Sequence, residues 1–149
     1  MQRGGLVQDW HVYRVAHRDG FVLGRARVAE GEVKAVVAHT ILAPFKPIPQ
    51  GRARVGRWAT YYPKTSQAYR KKLVALLSEY EAIEGPVAIE VEIAGARKNS
   101  DLTNHLKAIE DALVDAGVIA GDDVRIVQQI SAMVVAGTPH TKITIRSLA

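Results

Sequence analysis

The stretch NSDLTNHLKAIEDALVDAGVIAGDDVRI, residues 99–126, decides the fold of this chain, because two different side-chain stripes run along it. Apolar residues recur there at the three- and four-residue spacing of an α-helix, which places them on one side at about 100° per residue. These residues are Leu102, Leu106, Ile109 and Leu113. The spacing predicts an amphipathic helix over residues 101–116 with its apolar stripe against a core, and Gly117 is a typical C-terminal stop.

A second stripe on the same helix is polar, and it consists of Asp101, Asn104, Lys107 and Asp111. At helical spacing these four residues fall within about 120° of one another, beside the apolar stripe. One interpretation is structural: Asp101 is a good N-cap and the others form a solvated face. The other interpretation is a site, because acids, an amide and a lysine on one face are chemically useful together.

The pair Asp122–Asp123 follows Gly121 and precedes an apolar strand, which puts two carboxylates at the mouth of that strand. Oxygen ligands with waters in the remaining positions suit Mg²⁺ or Mn²⁺. Such an ion activates water and stabilises charge on a phosphodiester, and a nearby lysine neutralises developing charge. The alternative for residues 121–123 is an ordinary turn.

The N-terminal side of the chain is rich in predicted strands. Residues 10–28 read as two strands about an Asp19–Gly20 turn, since Asp-Gly favours tight hairpins, and residues 32–43 form a third. Residues 44–63 contain four prolines and two glycines, which predict a long loop or irregular ribbon.

The rest of the chain alternates helix and strand. A helix is predicted over residues 64–83 and a strand over 87–95, and residues 123–137 and 140–148 are predicted to close the domain as a β-hairpin. The predicted fold class is therefore α+β: a small mixed β-sheet with two main helices, plus an N-terminal β-hairpin extension.

The composition indicates a soluble, cytoplasmic, single-domain protein that faces a polyanion. The 149 residues are 48% hydrophobic and carry a net charge of +5. Residues 1–72 hold 14 Lys and Arg against 4 Asp and Glu, whereas residues 73–149 hold 6 against 11. The chain has no cysteine, which excludes disulfides and thiolate chemistry, and no apolar run long enough for a membrane span. A solvated basic face without special purpose is the alternative.

Together these residues resemble the RusA-type Holliday-junction resolvases, a family found largely in phages and prophages. The family signature is a D-L-D-N…K…D-A-L run, a short glycine-containing loop, and D-D before a strand. Here it corresponds to Asp101-Leu102-Thr103-Asn104, Lys107, Asp111-Ala112-Leu113, Gly117 and Asp122-Asp123. A second block, K-P-x-P-x-G-R-x-R followed by Tyr-x-Pro and a helix, corresponds to KPIPQGRAR (46–54) and YYPKTSQAY (61–69).

The resemblance covers residues 40–146 and implies a domain over 39–149, with residues 1–38 as a β extension packed on it. It implies an endodeoxyribonuclease of DNA recombination and repair, active on branched DNA as a homodimer with Mg²⁺ or Mn²⁺.

The resemblance also implies roles for individual residues. Asp101, Asp122 and Asp123 are implied as metal ligands, and Asp101, Lys107 and Asp123 as catalytic residues. Asn104 and Asp111 are implied as supporting residues. The implied DNA-binding residues are Arg52, Arg54, Arg57, Lys64, Arg70, Lys71 and Lys72. Trp58, Tyr61 and Tyr62 either pack on exposed bases or anchor the ribbon.

Thr103 departs from the family pattern, which has an aspartate at this position. A neutral hydroxyl is a poor Mg²⁺ ligand, so the site loses one charge. Three explanations stand: a natural protein with weakened or lost activity, an engineered variant, or replacement by another ligand such as Asn104 or His105. A non-catalytic junction-binding protein and a basic domain that binds RNA or a protein partner are the alternative functions. The apolar segment AMVVAG (132–137) is either core or dimer surface.

Overall fold

The computed structural model describes residues 10–17, 20–27 and 36–148, with side chains described from 36 to 148. The elements in chain order are β1 (Trp10–His17), β2 (Gly20–Arg27), β3 (Val36–Ala43), β4 (Arg54–Val55), β5 (Thr60–Tyr61), α1 (Lys64–Leu77), β6 (Val87–Ala94), α2 (Leu102–Asp115), β7 (Val127–Val134) and β8 (His140–Ser147). This order confirms the predicted α+β fold with a mixed sheet and two helices.

The main sheet has the strand order β2-β1-β3-β8-β6-β7. The predicted closing hairpin of β7 and β8 is wrong, because β6 lies between them, parallel to β7 and antiparallel to β8. The sequence of β6 explains its place: six of its eight residues are buried, on both faces of the strand. Its Glu90 and Glu92 in addition pair with Arg146 and Lys142 of β8, so cross-strand charge pairs favour β8 as a neighbour of β6.

The predicted N-terminal hairpin is confirmed in its pairing, since β1 and β2 run antiparallel with Trp10 opposite Arg27. β1 also lies parallel to β3, with Ala16 opposite His39. The predicted turn residue Asp19 and residues 32–35 of the predicted third strand lie outside the described residues. The division of the chain near residue 38 stays a prediction.

The helix α1 ends earlier than predicted, at Leu77 instead of residue 83. The hydroxyl of Ser78 donates to the carbonyl oxygen of Val74 at 2.7 Å, and the chain then leaves the helical path. Ile83 donates its backbone N–H to the carbonyl oxygen of Val118 at 2.8 Å. Residues 78–83 are therefore not helical, and Ile83 joins the segment after α1 to the segment after α2 through this hydrogen bond.

The core lies between the sheet and the two helices, and it includes Ile41, Leu73, Leu77, Ile89, Ile93, Ile109, Leu113, Ile143 and Ile145. The buried face of α2 also contains His105 and Ala112, whereas Leu102 is 37% exposed, contrary to its predicted place in the core stripe. Leu102 occupies the first helical position, where no preceding turn covers it. Gly117, with φ of +74°, confirms the predicted end of α2.

Candidate nucleic-acid and metal site

The carboxylate of Asp101 stands at the start of α2 without capping it. Asp101 occupies the N-cap position with extended backbone angles, yet its side chain makes no capping hydrogen bond. Its Oδ2 instead accepts a hydrogen bond from Nδ2 of Asn104 at 3.3 Å. The cap interpretation therefore does not describe this side chain, and its carboxylate remains available to a ligand.

Lys107 is the centre of a small charged cluster. Its Nζ lies 2.7 Å from Oδ2 of Asp122 and 3.0 Å from Oδ1 of Asp111, so one ammonium holds two carboxylates from different segments. The hydrogen bonds to Asp122 and then to Asp111 raise the pKa of Lys107 above its usual range. The same bond to Lys107 lowers the pKa of Asp122.

Glu110 is a carboxyl group near this cluster that the motif analysis did not select. Burial raises the pKa of Glu110, while the nearby charges of Lys107, Asp122 and Asp111 shift it in opposing directions. Glu110 follows Thr103 by seven residues, so the two lie on nearly the same side of α2. That spacing, two turns after the missing family aspartate, was the sequence signal that would have drawn attention to it.

Asp123 points to a different partner from Asp122. Its Oδ1 accepts hydrogen bonds from the backbone N–H and from Nε of Arg125, each at 2.9 Å. The first of these is the local bond that an aspartate makes to the residue two positions later in a turn. The bonds to Arg125 lower the pKa of Asp123. The turn interpretation therefore applies to the local geometry of Asp123.

The structure thus arranges the predicted site residues in three groups: Asp101 with Asn104, Lys107 with Asp111 and Asp122, and Asp123 with Arg125. Within the described residues, no three His, Asp or Glu side chains stand close enough together to hold an ion. The set of Asp101, Asp122 and Asp123 as metal ligands stays a prediction. Thr103 is exposed, whereas His105 is 3% exposed and hydrogen-bonded to Ser100, so His105 is not placed to replace a ligand.

Residues 44–63, called here the arginine ribbon, dock directly on both helices. Gln50 donates its backbone N–H to the carbonyl oxygen of Asn104 at 3.0 Å. Gly51 donates its backbone N–H to Oγ of Ser66 on α1, also at 3.0 Å. These two bonds bring the ribbon beside the polar face of α2, and a cleft lined by Gln50, Tyr62, Tyr69, Arg70, Asp111 and others lies between them.

The exposed end of the arginine ribbon is the short β4–β5 pair, which Gly56 and Ala59 close with a 2.8 Å backbone bond. Arg52, Arg54 and Arg57 are exposed there. Trp58 is 90% exposed, and the Cζ atom of Arg57 lies 5.5 Å from the centre of its ring. An indole that is nearly all in solvent does not anchor the ribbon to the core.

The predicted basic surface continues onto α1, but two of its residues are already engaged. Nε of Arg70 donates to Oδ2 of Asp115 at 2.6 Å, which connects α1 to α2. Nζ of Lys72 lies 4.4 Å above the centre of the Phe45 ring. Lys64 and Lys71 are exposed. The DNA-binding role of this basic set stays a prediction, and Arg70 and Lys72 would have to leave these contacts to bind a phosphate.

The fold and the site define a class of protein: a small α+β domain in which an arginine-rich ribbon is hydrogen-bonded to a helix that carries acidic residues and a lysine. The profile of the endodeoxyribonuclease RusA family matches residues 44–146, which is more than half of the chain. The chain therefore belongs to the RusA endodeoxyribonuclease family, as its motifs predicted. The comparison with curated proteins returned no match. Among the described residues, every helix is too short or too polar to cross a bilayer.

Proposed function

We propose that this protein is a divalent-metal-dependent, structure-selective DNA endonuclease that resolves four-way junctions by paired nicks. Family membership supports the reaction class, and the excess of Lys and Arg in residues 1–72 supports a DNA partner. The remaining parts of the proposal concern the ion, the roles of individual residues and the assembly.

The observation that carries the proposal is the 3.0 Å hydrogen bond from Gln50 N–H to the carbonyl oxygen of Asn104. It joins the two sequence blocks on which the assignment depends, the arginine ribbon and the acidic helix α2. A phosphodiester backbone held by Arg52 and Arg54 then passes close to the face that carries Asn104 and Lys107. Guanidinium groups suit this task because their planar donors match phosphate oxygens.

Asp101, Asp122 and Asp123 are the proposed ligands of Mg²⁺ or Mn²⁺. Their donor chemistry fits such an ion: all donors are carboxylate oxygens, and the Asp101 carboxylate is free of capping. Mg²⁺ commonly binds through only one or two carboxylates and keeps several waters, so a complete cage of protein ligands is not required. When bound, the ion supplies a nucleophilic water at neutral pH and stabilises charge on the phosphate.

The chain's own groups have separate proposed roles. Lys107 neutralises charge on an oxygen of the scissile phosphate. In the absence of DNA its ammonium group forms ion pairs with Asp111 and Asp122. Asn104 orients Asp101 through their side-chain hydrogen bond. Trp58 and Tyr61, both exposed, offer flat surfaces for unpaired bases at a branch point.

The homodimer is also a proposal, and strand β7 at the sheet edge supports it. Residues 127–136 contain no charged side chain, and Met133 and Val134 are 63% and 67% exposed. Exposed edge strands usually carry charges or prolines that prevent pairing with another chain. An uncharged edge meets its own copy across a two-fold axis without repulsion, and a two-fold dimer matches a junction that needs two nicks.

A non-catalytic junction-binding protein on the same fold is the second candidate, and Thr103 is the observation that favours it. The neutral hydroxyl removes one negative charge from the helix turn that carries Asp101. A protein of this kind retains the DNA-binding surface and does not cleave DNA.

Incubation of the protein with a synthetic four-way junction and with its linear arms, under Mg²⁺ and separately Mn²⁺, tests the proposal. We expect paired nicks in the junction and little cutting of the linear DNA, and we expect Lys107→Ala to abolish the nicks. Junction binding without nicking supports the second candidate. Equal binding to the junction and to duplex of equal length, with no nicking, contradicts both.

A further inference from the structure

Ser100, just before Asp101, and His105, four residues after it, are joined by a partly buried hydrogen bond. Oγ of Ser100 donates to the carbonyl oxygen of Arg97 at 2.6 Å and lies 2.8 Å from Nε2 of His105. A hydroxyl has one hydrogen, and Arg97 takes it. The bond to the imidazole therefore runs from Nε2–H of His105 to the lone pair of Ser100 Oγ.

This bond replaces the usual device for starting a helix. In most helices the N-cap side chain accepts a hydrogen bond from a first-turn N–H, and an apolar pair between the residue before the cap and the fourth helical residue sets the entry angle. Here the N-cap is Asp101, which makes no capping bond. Ser100 and His105 occupy the two positions of the apolar pair and are joined by a polar bond instead.

His105 is a firm support for this bond because it belongs to the core. It is 3% exposed and lies on the buried face of α2 with Ile109 and Ala112. Ser100 has in addition a backbone N–H bond to the carbonyl oxygen of Arg97 at 3.0 Å. The turn before α2 is thus fixed from both ends without any contribution from the Asp101 carboxylate.

We propose that the Ser100–His105 hydrogen bond is a positioning device that fixes the start of α2 and thereby keeps the Asp101 carboxylate out of the capping role, beside Asn104. His105 is then a positioning residue and not a ligand. The consequence for ion binding rests on the proposed function, whereas the consequence for helix capping does not. Without the bond, the Asp101 side chain turns to the backbone N–H of Thr103 in the first helical turn, since the N–H of Asn104 already donates to the carbonyl oxygen of Asp101 at 3.1 Å.

A double-mutant cycle in urea unfolding tests the capping consequence without any ion. In the wild-type background, Asp101→Ala is expected to change the unfolding equilibrium constant less than about twofold, because no cap is lost. In a Ser100→Ala background, Asp101→Ala is expected to change it about fivefold, the usual effect of losing an N-cap. Ser100→Thr keeps the hydroxyl and is the matched control, with the wild-type result expected. The same effect of Asp101→Ala in both backgrounds overturns the proposal.

Mn²⁺ titration by calorimetry then tests the consequence for the site. Ser100→Ala and His105→Leu are expected to weaken Mn²⁺ binding about tenfold or more, the usual effect of removing a residue that orients a ligand. His105→Gln, which retains a donor at the same reach, is expected to restore it, with circular dichroism to verify folding. Unchanged affinity in a folded His105→Leu protein contradicts the positioning role. If Asp101→Ala itself leaves Mn²⁺ binding unchanged, Asp101 is not an ion ligand and the proposed ion site is wrong. The double-mutant cycle in urea then still tests whether the Ser100–His105 bond positions Asp101.

Discussion

Thr103 is the residue at which the acidic helix departs from the predicted family motif, which has an aspartate there. It lies in the first turn of α2, two residues after Asp101, and it is exposed to solvent. An aspartate at this position adds a carboxylate to the turn that carries Asp101 and Asn104. It also stands near the positive end of the helix dipole, where a negative charge is favourable, so the fold tolerates it.

Thr103→Asp is expected to raise the rate of metal-dependent junction cleavage at least about tenfold, because orienting or adding a carboxylate at such a site has effects of this order. Quantified cleavage of a labelled four-way junction measures the rate. Thr103→Asn has the same size as the aspartate and no charge, and it is expected to stay at the wild-type rate. An aspartate variant as slow as the asparagine variant means that another cause limits cleavage.

Lys107 gives the protein a measurable response to acid. Its bond lowers the pKa of Asp122, so the stabilising contribution of Asp122 is complete above the unfolded pKa of about 4 and is lost as the pH falls through the lower folded value. Lys107→Met removes this contribution. We therefore expect the urea midpoint to fall less between about pH 5 and about pH 2 in the variant than in the wild type, because this range includes the usual aspartate pKa of about 4.

The control for this acid response is Lys142→Met, which removes another exposed lysine whose nearest carboxylate, on Glu92, is 3.9 Å away. Its urea midpoint is expected to follow the wild-type pH dependence. A wild-type slope in Lys107→Met would show that the cluster of Lys107 and Asp122 does not hold in solution.

At the scale of elements, the arginine ribbon owes its position to one close approach. A side-chain carbon on Gly51 would lie 2.7 Å from both Cγ of Pro63 and Oγ of Ser66, a distance that requires the ribbon or α1 to shift. The neighbouring Gln50 makes the bond to Asn104. The glycine thus permits the contact that sets the basic ribbon beside the acidic helix.

Gly51→Ala is expected to reduce stability by about 1–3 kcal/mol, the usual cost of overpacking, and to weaken junction binding because Arg52 and Arg54 move with the ribbon. Urea unfolding and fluorescence anisotropy with a labelled junction measure the two effects. Gly121→Ala is a suitable control, since its new carbon would meet no atom closer than 3.5 Å. A variant with wild-type binding would indicate that the ribbon adjusts freely.

At the scale of the whole molecule, the proposed homodimer depends on β7, which is at one edge of the sheet among the described strands. β7 is the last strand in the sheet order, and it presents exposed Met133 and Val134 with no charged neighbour on the strand. Pairing of this edge with its own copy extends the sheet across a two-fold axis. The two cleavage sites of such a dimer are related by the same axis as the two strands they cut.

If the proposed dimer pairs through β7, Met133→Lys is expected to leave the protein monomeric, because a charge on an edge strand opposes pairing with another strand. Sedimentation velocity measures the change. Leu42→Lys places the same charge at a 51% exposed position on β3, away from that edge, and is expected to stay dimeric. If the Leu42 variant is monomeric and the Met133 variant is dimeric, the dimer interface lies on a surface other than the β7 edge.

Local patterns in the chain were enough for both helices and the longer strands of this fold and for its family, but not for the end of α1 or the β4–β5 pair. Helical spacing predicted α2 and its end at Gly117, and the two motif blocks predicted the family that the profile confirms. These features depend on residues close in sequence, whose spacing is set by backbone geometry alone. Angles around one helix also placed Lys107 and Asp111 on the same side.

Contacts between distant segments were beyond the reach of such patterns. The insertion of β6 between β7 and β8, the ion pair of Lys107 with Asp122, and the bond from Gln50 to Asn104 each depend on which surfaces pack together. Many pairings of the same elements bury similar apolar area, and only the complete packed chain selects one of them. The position of Asp101 in the sequence predicted a cap, whereas only the folded chain shows that its carboxylate accepts a hydrogen bond from Asn104 and caps no N–H group.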